Sequence, residues 1–411
     1  MPAANATRFD GTARRADFPA LLEDLEDGRR PIYLDSAATT LMPNQVLTAI
    51  DTFHRRACGS VGRSVHHFSR EGTRAYQRAR ATVARFVGGD EHELVFTRNT
   101  TEAIHLVATG HPAIRDARVL TTLANHHSAL LPWTRGDRVV PPVHLHPDGT
   151  LDLDDLDAKL GDVDLLVLPA VVNALGLRMP IETVIERARR AGVMVLLDGA
   201  QAVPHMPIDV NELDIDFLVW SGHKMLAPLG IGVLWARREH LEAMSPVLLG
   251  GEMVERVWLE SDEDIAFEAK EGPARFEAGT PNVTGAVALA TACEYLDDLG
   301  LENVHSHVSE LAHAARRRLR ALDGIAVHGP ATDDDVATAV TFGFPGMRAH
   351  ALALMLSNRF GIMVRSGHHC AEPLHQTLDL PPTVRASFYL YNDHDDVDAL
   401  ADALATIRQT L

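Results

Sequence analysis

From Ile32 onward the chain alternates short uninterrupted apolar runs with longer stretches in which apolar residues recur every three or four positions. The second pattern is clearest at 69–87 (SREGTRAYQRARATVARFV), where Ala75, Ala79, Val83 and Phe86 share one stripe and predict a helix. Leu94–Thr97 (LVFT) predicts a strand, and 101–109 opens another helix. Three further apolar runs, 164–172 (DLLVLPAVV), 193–197 (VMVLL) and 217–220 (FLVW), predict strands. Between the first two, 180–191 reads as a crossover helix with proline in its first turn. Such runs, separated by helices, indicate a parallel or mixed sheet covered on both faces. After about Gly285 the pattern changes to long helices at 286–298 and 303–322, short strand-like runs, and a last helix at 397–411. The expected organisation is an N-terminal arm at 1–35 that joins the small domain, a large domain at 36–284, and a small α+β C-terminal domain at 285–411. No internal repeat or low-complexity segment interrupts it.

Composition narrows the class. A chain of 411 residues with 46% hydrophobic content can bury a substantial core. No apolar run is long enough to span a membrane, and the first 19 residues lack the apolar centre of a secretory signal, so a cytoplasmic location is the default expectation. The net charge of −18 argues against a nucleic-acid-binding surface. Cys58, Cys293 and Cys370 show no paired spacing, which disfavours a disulfide framework. Lysine is scarce: only Lys159, Lys224 and Lys270 occur, so each can be weighed individually.

Ligands of open α/β sheets sit beyond the carboxyl ends of the strands. The residues just beyond the expected strands of this chain form a set. After Leu94–Thr97 come Thr100 and Thr101 at the start of a helix, where an anion is favoured. After later strands come Asn125-His-His127, Asn173, Asp198-Gly-Ala-Gln201 and Ser221-Gly-His-Lys224. A phosphate cradle, an imidazole, a carboxylate and one lysine are what pyridoxal 5′-phosphate requires. Lys224, ending an apolar strand, suits the imine-forming amine, and Asp198 suits the partner of the pyridine nitrogen. Taken singly, an Asp-Gly is more often a turn and a Ser-Gly-His-Lys more often a surface loop. Their order after successive strands is what gives them weight.

The chain resembles the group II cysteine desulfurases and selenocysteine lyases, fold-type I pyridoxal-phosphate enzymes of aminotransferase class V. The resemblance runs from Arg15-Ala-Asp-Phe-Pro19 and Tyr33-Leu-Asp-Ser-Ala-Ala38 through Thr100-Thr-Glu102, His126-His127, Asp198-Gly-Ala-Gln-Ala202 and Ser221-Gly-His-Lys224. It continues through Arg275-Phe-Glu-Ala-Gly-Thr-Pro-Asn282 and Arg365-Ser-Gly-His-His-Cys-Ala371 to Arg385-Ala-Ser387 and Tyr391-Asn392. It implies a large domain with a mostly parallel seven-stranded sheet. It further implies Lys224 as Schiff-base lysine, Asp198 as pyridinium partner, Gln201 at the ring hydroxyl, and His126 stacked on the ring and shuttling protons. Thr100, Thr101, Ser221 and His223 would hold the phosphate, with Thr280 donated by a second subunit of a homodimer. Asn173, Arg365 and Arg385 would bind the substrate, L-cysteine, and Cys370 would accept its sulfur as a persulfide for an acceptor protein, releasing alanine.

Read without the resemblance, His368-His369-Cys370 leaves three possibilities: half a metal site, a reactive thiol, or a small buried residue. Adjacent residues rarely converge on one metal and no second Cys/His pair lies at ligand spacing, so no metal is expected. Cys58 and Cys293 read as small hydrophobes. Three positions depart from the family pattern: Asn125 stands for a glutamate, and Leu177 and Leu229 stand for threonines. The stretch 133–146 is also a few residues short. These departures leave a different reaction on another amino acid, by a class V aminotransferase, epimerase or lyase, as the alternative.

Overall fold

The computed structural model describes residues 11–62, 64–134, 140–261 and 264–410. Its centre is a six-stranded sheet in the order Leu94–Thr97, Gly232–Ala236, Phe217–Ser221, Met194–Asp198, Leu165–Pro169, Val119–Leu120. Gly232–Ala236 runs antiparallel to both neighbours, and the remaining five strands share one direction. In place of the seventh strand that the resemblance implies, a single parallel bridge, Thr122 to Val143, extends the sheet beyond Val119–Leu120.

The strands are uniformly apolar because both faces are covered. Side chains alternate across a strand. Leu165 and Val167 accordingly join one core with Val107, Leu196, Phe217 and Leu234. Leu166 and Leu168 join the other with Leu197, Leu218, Trp220 and Val233. Helix Thr100–Gly110 covers the first face, with Ala103, Ile104, Leu106 and Val107 buried. On the other side lies helix His67–Phe86, whose buried stripe is Gly72, Tyr76, Ala79 and Val83. The stripe passes through Tyr76, with Ala75 only partly covered, because the larger ring fills the space over Phe96.

The expected strand at 164–172 divides. Its ladder ends at Pro169, which has no N–H to donate, and Val171–Val172 turns away to pair with Leu177–Arg178. That short hairpin aims Asn173 back toward the strand ends.

A second sheet is wholly antiparallel, in the order Ala326–His328, Ala339–Gly343, Thr383–Ser387, Arg365–Gly367. Helices Leu301–Arg320 and His394–Gln409 pack on each other beside it. The N-terminal segment reaches it: Ile32–Tyr33 pairs in parallel with Ile362–Met363, and Asp35 bridges to Ser387. Helix Val283–Leu299 packs against Asn44–Arg56 and His67–Phe86. An antiparallel hairpin that the residue pattern did not reveal, Val254–Leu259 with Ile265–Ala269, stands out from the body with Val257, Leu259, Ile265 and Phe267 exposed. Among the described residues no helix is long and apolar enough to cross a membrane.

Candidate active site

A cavity of about 240 Å³ opens at the carboxyl ends of Leu165–Pro169, Met194–Asp198 and Phe217–Ser221, facing the small sheet. Pro169, Asp198 and Ser221, the last residues of these strands, all line it. So do Thr100, Thr101, His126, Asn173, Gln201, His223, Lys224, Arg365, Cys370 and Arg385. Every site residue read from the sequence except Thr280 therefore meets at one place. Thr280 lies outside the cavity and is exposed.

One wall is the start of helix Thr100–Gly110. Asn99 caps it by accepting from the Glu102 N–H. The Thr100 N–H donates to Ser221 Oγ at 2.9 Å, the two hydroxyls of Thr100 and Ser221 lie 2.6 Å apart, and Thr101 Oγ1 meets Ser128 Oγ at 2.7 Å. A cluster of hydroxyls over the positive end of a helix is an anion cradle. Gly232 makes its position possible: a Cβ there would fall 2.6 Å from Asn99 Cα.

Lys224 sits on the tight turn Gly222–Lys224 directly after its strand. It keeps some contact with solvent through the cavity, but protein surrounds its amine. Burial pushes its pKa down to about 8, opposed by Asp198 and helped by Arg385 and Arg365. Asp198 is nearly inaccessible and accepts from the Ala200 N–H at 3.0 Å. Burial raises its pKa, so a cationic partner is needed to keep it ionised. Gln201 is oriented by donating through Nε2 to Ala37 O at 2.8 Å.

His126 accepts the Ser128 N–H at Nδ1 (3.1 Å), and burial pushes its pKa down to about 4. A neutral imidazole with Nδ1 so engaged carries its hydrogen on Nε2. The preceding residue, Asn125, is fully buried: its Oδ1 accepts from the Thr122 N–H and hydroxyl, and its Nδ2 donates to Val167 O. The amide here closes a turn without leaving an uncompensated charge.

The opposite wall comes from the small sheet, where Arg365 and Arg385 are direct cross-strand partners. Arg385 is buried; it donates to Asn173 O at 2.7 Å and approaches Asp35 Oδ1 at 3.4 Å. Two guanidinium groups opposite each other with one carboxylate leave a net positive charge, which suits a substrate carboxylate. Asp35 lies inside the motif Tyr33–Ala38, but its pairing with Arg385 depends on the bridge to Ser387 and carries no signal in the residue pattern.

Cys370 enters between these walls on the loop after Arg365–Gly367. His369 and Cys370 both adopt φ of 56°, the left-handed region that side-chain-bearing residues avoid. Three contacts hold them there: Asn173 Nδ2 to His369 O (2.6 Å), His369 Nε2 with Thr383 Oγ1 (3.0 Å), and the His127 N–H to Cys370 O (3.1 Å). Leu177 is buried in the hairpin that carries Asn173, whereas Leu229 is exposed.

Buried polar atoms without partners test what the cavity is built to hold. Asn173 Oδ1, His223 Nδ1 and Arg385 Nε have no hydrogen-bond partner, and all three residues line the cavity. Native interiors seldom leave such groups idle. With an anion cradle, a buried carboxylate and a depressed lysine in one pocket, the residues fit pyridoxal phosphate.

The aminotransferase class-V family model matches residues 32–400, and the chain belongs to that family. Within it, the chain stands with the cysteine desulfurases. It is 41% identical to a probable cysteine desulfurase of Halobacterium salinarum, covering 100% of this chain and 99% of that one. It is 38% identical to the cysteine desulfurase of Haloferax volcanii, covering 97% of each. Among solved structures, the apo cysteine desulfurase from Thermococcus onnurineus superposes with a TM-score of 0.89 at 35% identity, over 96% of this chain and 99% of that one. The cysteine desulfurase CsdA (S-sulfonic acid) from Escherichia coli gives 0.87 at 35% identity, over 98% and 99%.

Proposed function

We propose that the protein is a pyridoxal-phosphate-dependent cysteine desulfurase that moves sulfur from L-cysteine to Cys370 and releases L-alanine. The observation that carries this reading is the presence of Cys370 in one cavity with Lys224, Asp198, His126 and Arg385. Thr100, Thr101, Ser221 and His223 would hold the cofactor phosphate, Asp198 and Gln201 its ring, and Lys224 its aldehyde carbon. When bound, pyridoxal phosphate supplies a sink for electrons released at the substrate α-carbon. Arg385, with Arg365 beside it, fixes the substrate carboxylate, and Asn173 Oδ1 is free to orient its amine. His126 holds or moves a proton at Nε2. The Cys370 thiolate attacks the substrate sulfur and forms an S–S bond as the substrate C–S bond breaks. The carbon skeleton keeps that electron pair, takes up a proton and leaves as alanine.

The persulfide is then handed to an acceptor protein. A homodimer belongs to the same reading. Thr280 is too exposed to serve its own cavity and suits a partner's, and the apolar hairpin 254–269 offers a surface to cover. A cytoplasmic location is in keeping with three unpaired cysteines. The joining of the arm at 1–35 to the 285–411 domain is supported by the pairing of Ile32–Tyr33 with Ile362–Met363, while helix Val283–Leu299, at the boundary with 36–284, packs mainly on Asn44–Arg56 and His67–Phe86. The test is to supply L-cysteine with a reductant and quantify sulfide and alanine together. Equal yields support the proposal; neither product, or keto acid in place of alanine, overturns it.

A further inference from the structure

Glu372 lies in the first turn of helix Glu372–Thr377, two residues after the thiol. A glutamate there ordinarily points to solvent. Here its Oε2 lies 2.6 Å from His127 Nε2 and its Oε1 3.8 Å from His368 Nδ1. His127 also donates its backbone N–H to Cys370 O at 3.1 Å, so it grips the cysteine segment twice. His127 opens the turn His127–Leu130, and its chain neighbour His126 lines the cavity. The contact with Oε2 is close but poorly aligned for hydrogen bonding, and that oxygen is buried with no properly directed donor. A partly exposed, imperfectly satisfied contact of this kind holds a conformation weakly and gives way readily.

The geometry matters because Cys370 has two tasks in different places. It must meet the substrate inside the cavity, and it must present sulfur outside. The Asn173 side-chain amide on His369 O and the His127 N–H on Cys370 O fix the inward position, and two left-handed residues in succession oppose it. Among the described residues, the Glu372 carboxylate is the one charged side-chain tie between this segment and the element bearing His126.

We propose that Glu372 is a positioning residue, a latch whose carboxylate, set between His127 and His368, holds Cys370 in the cavity and must let go before sulfur is passed on. This rests on the reading of Cys370 as the sulfur-accepting thiol.

The test uses the holoenzyme and the variants Glu372→Ala, His127→Ala and the two combined. Iodoacetamide labelling is followed by mass spectrometry of the peptide containing Cys370, with exposed Cys58 as internal control. Loss of a partly exposed side-chain contact should speed labelling of Cys370 about two- to fivefold and leave Cys58 unchanged. Both single variants cut the same contact, so the double variant should label no faster than either. In a single turnover without reductant, alanine should form more slowly in Glu372→Ala by a similar factor. Dithiothreitol should strip sulfur from Cys370 faster. Unchanged labelling of Cys370, or single effects that multiply in the double variant, overturns the latch. Absence of sulfur on wild-type Cys370 would instead remove the desulfurase reading, while the labelling comparison still decides the latch.

Discussion

The reactivity of Lys224 toward the cofactor should follow pH with a midpoint far below that of an ordinary lysine. Only the neutral amine attacks an aldehyde. Burial pushes Lys224 from 10.5 to about 8, with Asp198 pulling the other way. At pH 7 and below, a lowering of this size raises the neutral fraction by roughly two to three powers of ten. The direction of the shift sets the sign: below about 8 the amine is mostly protonated, and capture should gain about tenfold per pH unit. Above about 8 the gain should stop, because the amine is already neutral. The measurement is stopped-flow mixing of cofactor-free protein with pyridoxal phosphate between pH 6.5 and 10. Capture is read as visible absorbance and as borohydride-fixed mass on the peptide containing Lys224. Lys159 provides the contrast within the same chain, since its amine is occupied by Asp155 and Pro142 O. A rate still climbing tenfold per unit above pH 9 would show that the cavity does not desolvate the amine as argued. Fixation on Lys159 or Lys270 would misplace the site altogether.

Replacing Cys370 by serine should leave the cofactor absorbance and the binding of L-cysteine intact, because Asp198, Lys224 and Arg385 make no hydrogen bond to that thiol. Alanine production should fall by at least about a hundredfold, a hydroxyl being a far weaker nucleophile toward sulfur; retention of most turnover would favour a thiol-independent class V reaction. Glu277→Gln should cost about 3 kcal/mol of stability, since the carboxylate accepts from both Arg80 guanidinium nitrogens, Tyr76 Oη and the Phe96 N–H inside the fold. A urea midpoint equal to wild type would refute that. Sedimentation should show a dimer, and Thr280→Ala should weaken cofactor retention; an active, fully loaded monomer would end the shared-site reading.

The part of the site legible in the sequence is the part that strand ends supply. Asp198, Ser221 and Lys224 come within a few residues of the ends of apolar runs, so a rule about sheet edges locates them without any long-range contact. Thr100 and His126 sit just beyond strands in the same way. Less legible were features created by register between distant segments. Arg365 faces Arg385 only because Arg365–Gly367 pairs with Thr383–Ser387 in that frame, and a shift of one residue would turn the two guanidinium groups to opposite faces. Asp35 reaches Arg385 only through the crossing of the N-terminal segment to the small sheet. The role of Glu277 was hidden for the same reason: its partners lie on Leu94–Thr97 and His67–Phe86, about 180 to 200 residues away in sequence.

The positions that depart from the family pattern divide by the same logic. Asn125 is fully buried with its hydrogen bonds complete, so the change from glutamate is absorbed locally by a turn that asks for an amide. Leu177 is buried in a short strand paired with Val171–Val172, in the hairpin that carries Asn173, so an apolar side chain there leaves no buried hydroxyl to satisfy. Leu229 is exposed on the loop after Lys224, and its side chain gains little from its own chain. Of the three, Asn125 and Leu177 are explained within the chain, and Leu229 is not. Leu229→Thr should leave the unfolding of an isolated subunit within about 0.5 kcal/mol of wild type and, where the proposed homodimer covers this loop, raise the concentration at which that dimer dissociates. An unchanged dissociation constant would show that this leucine faces solvent in the assembly as well.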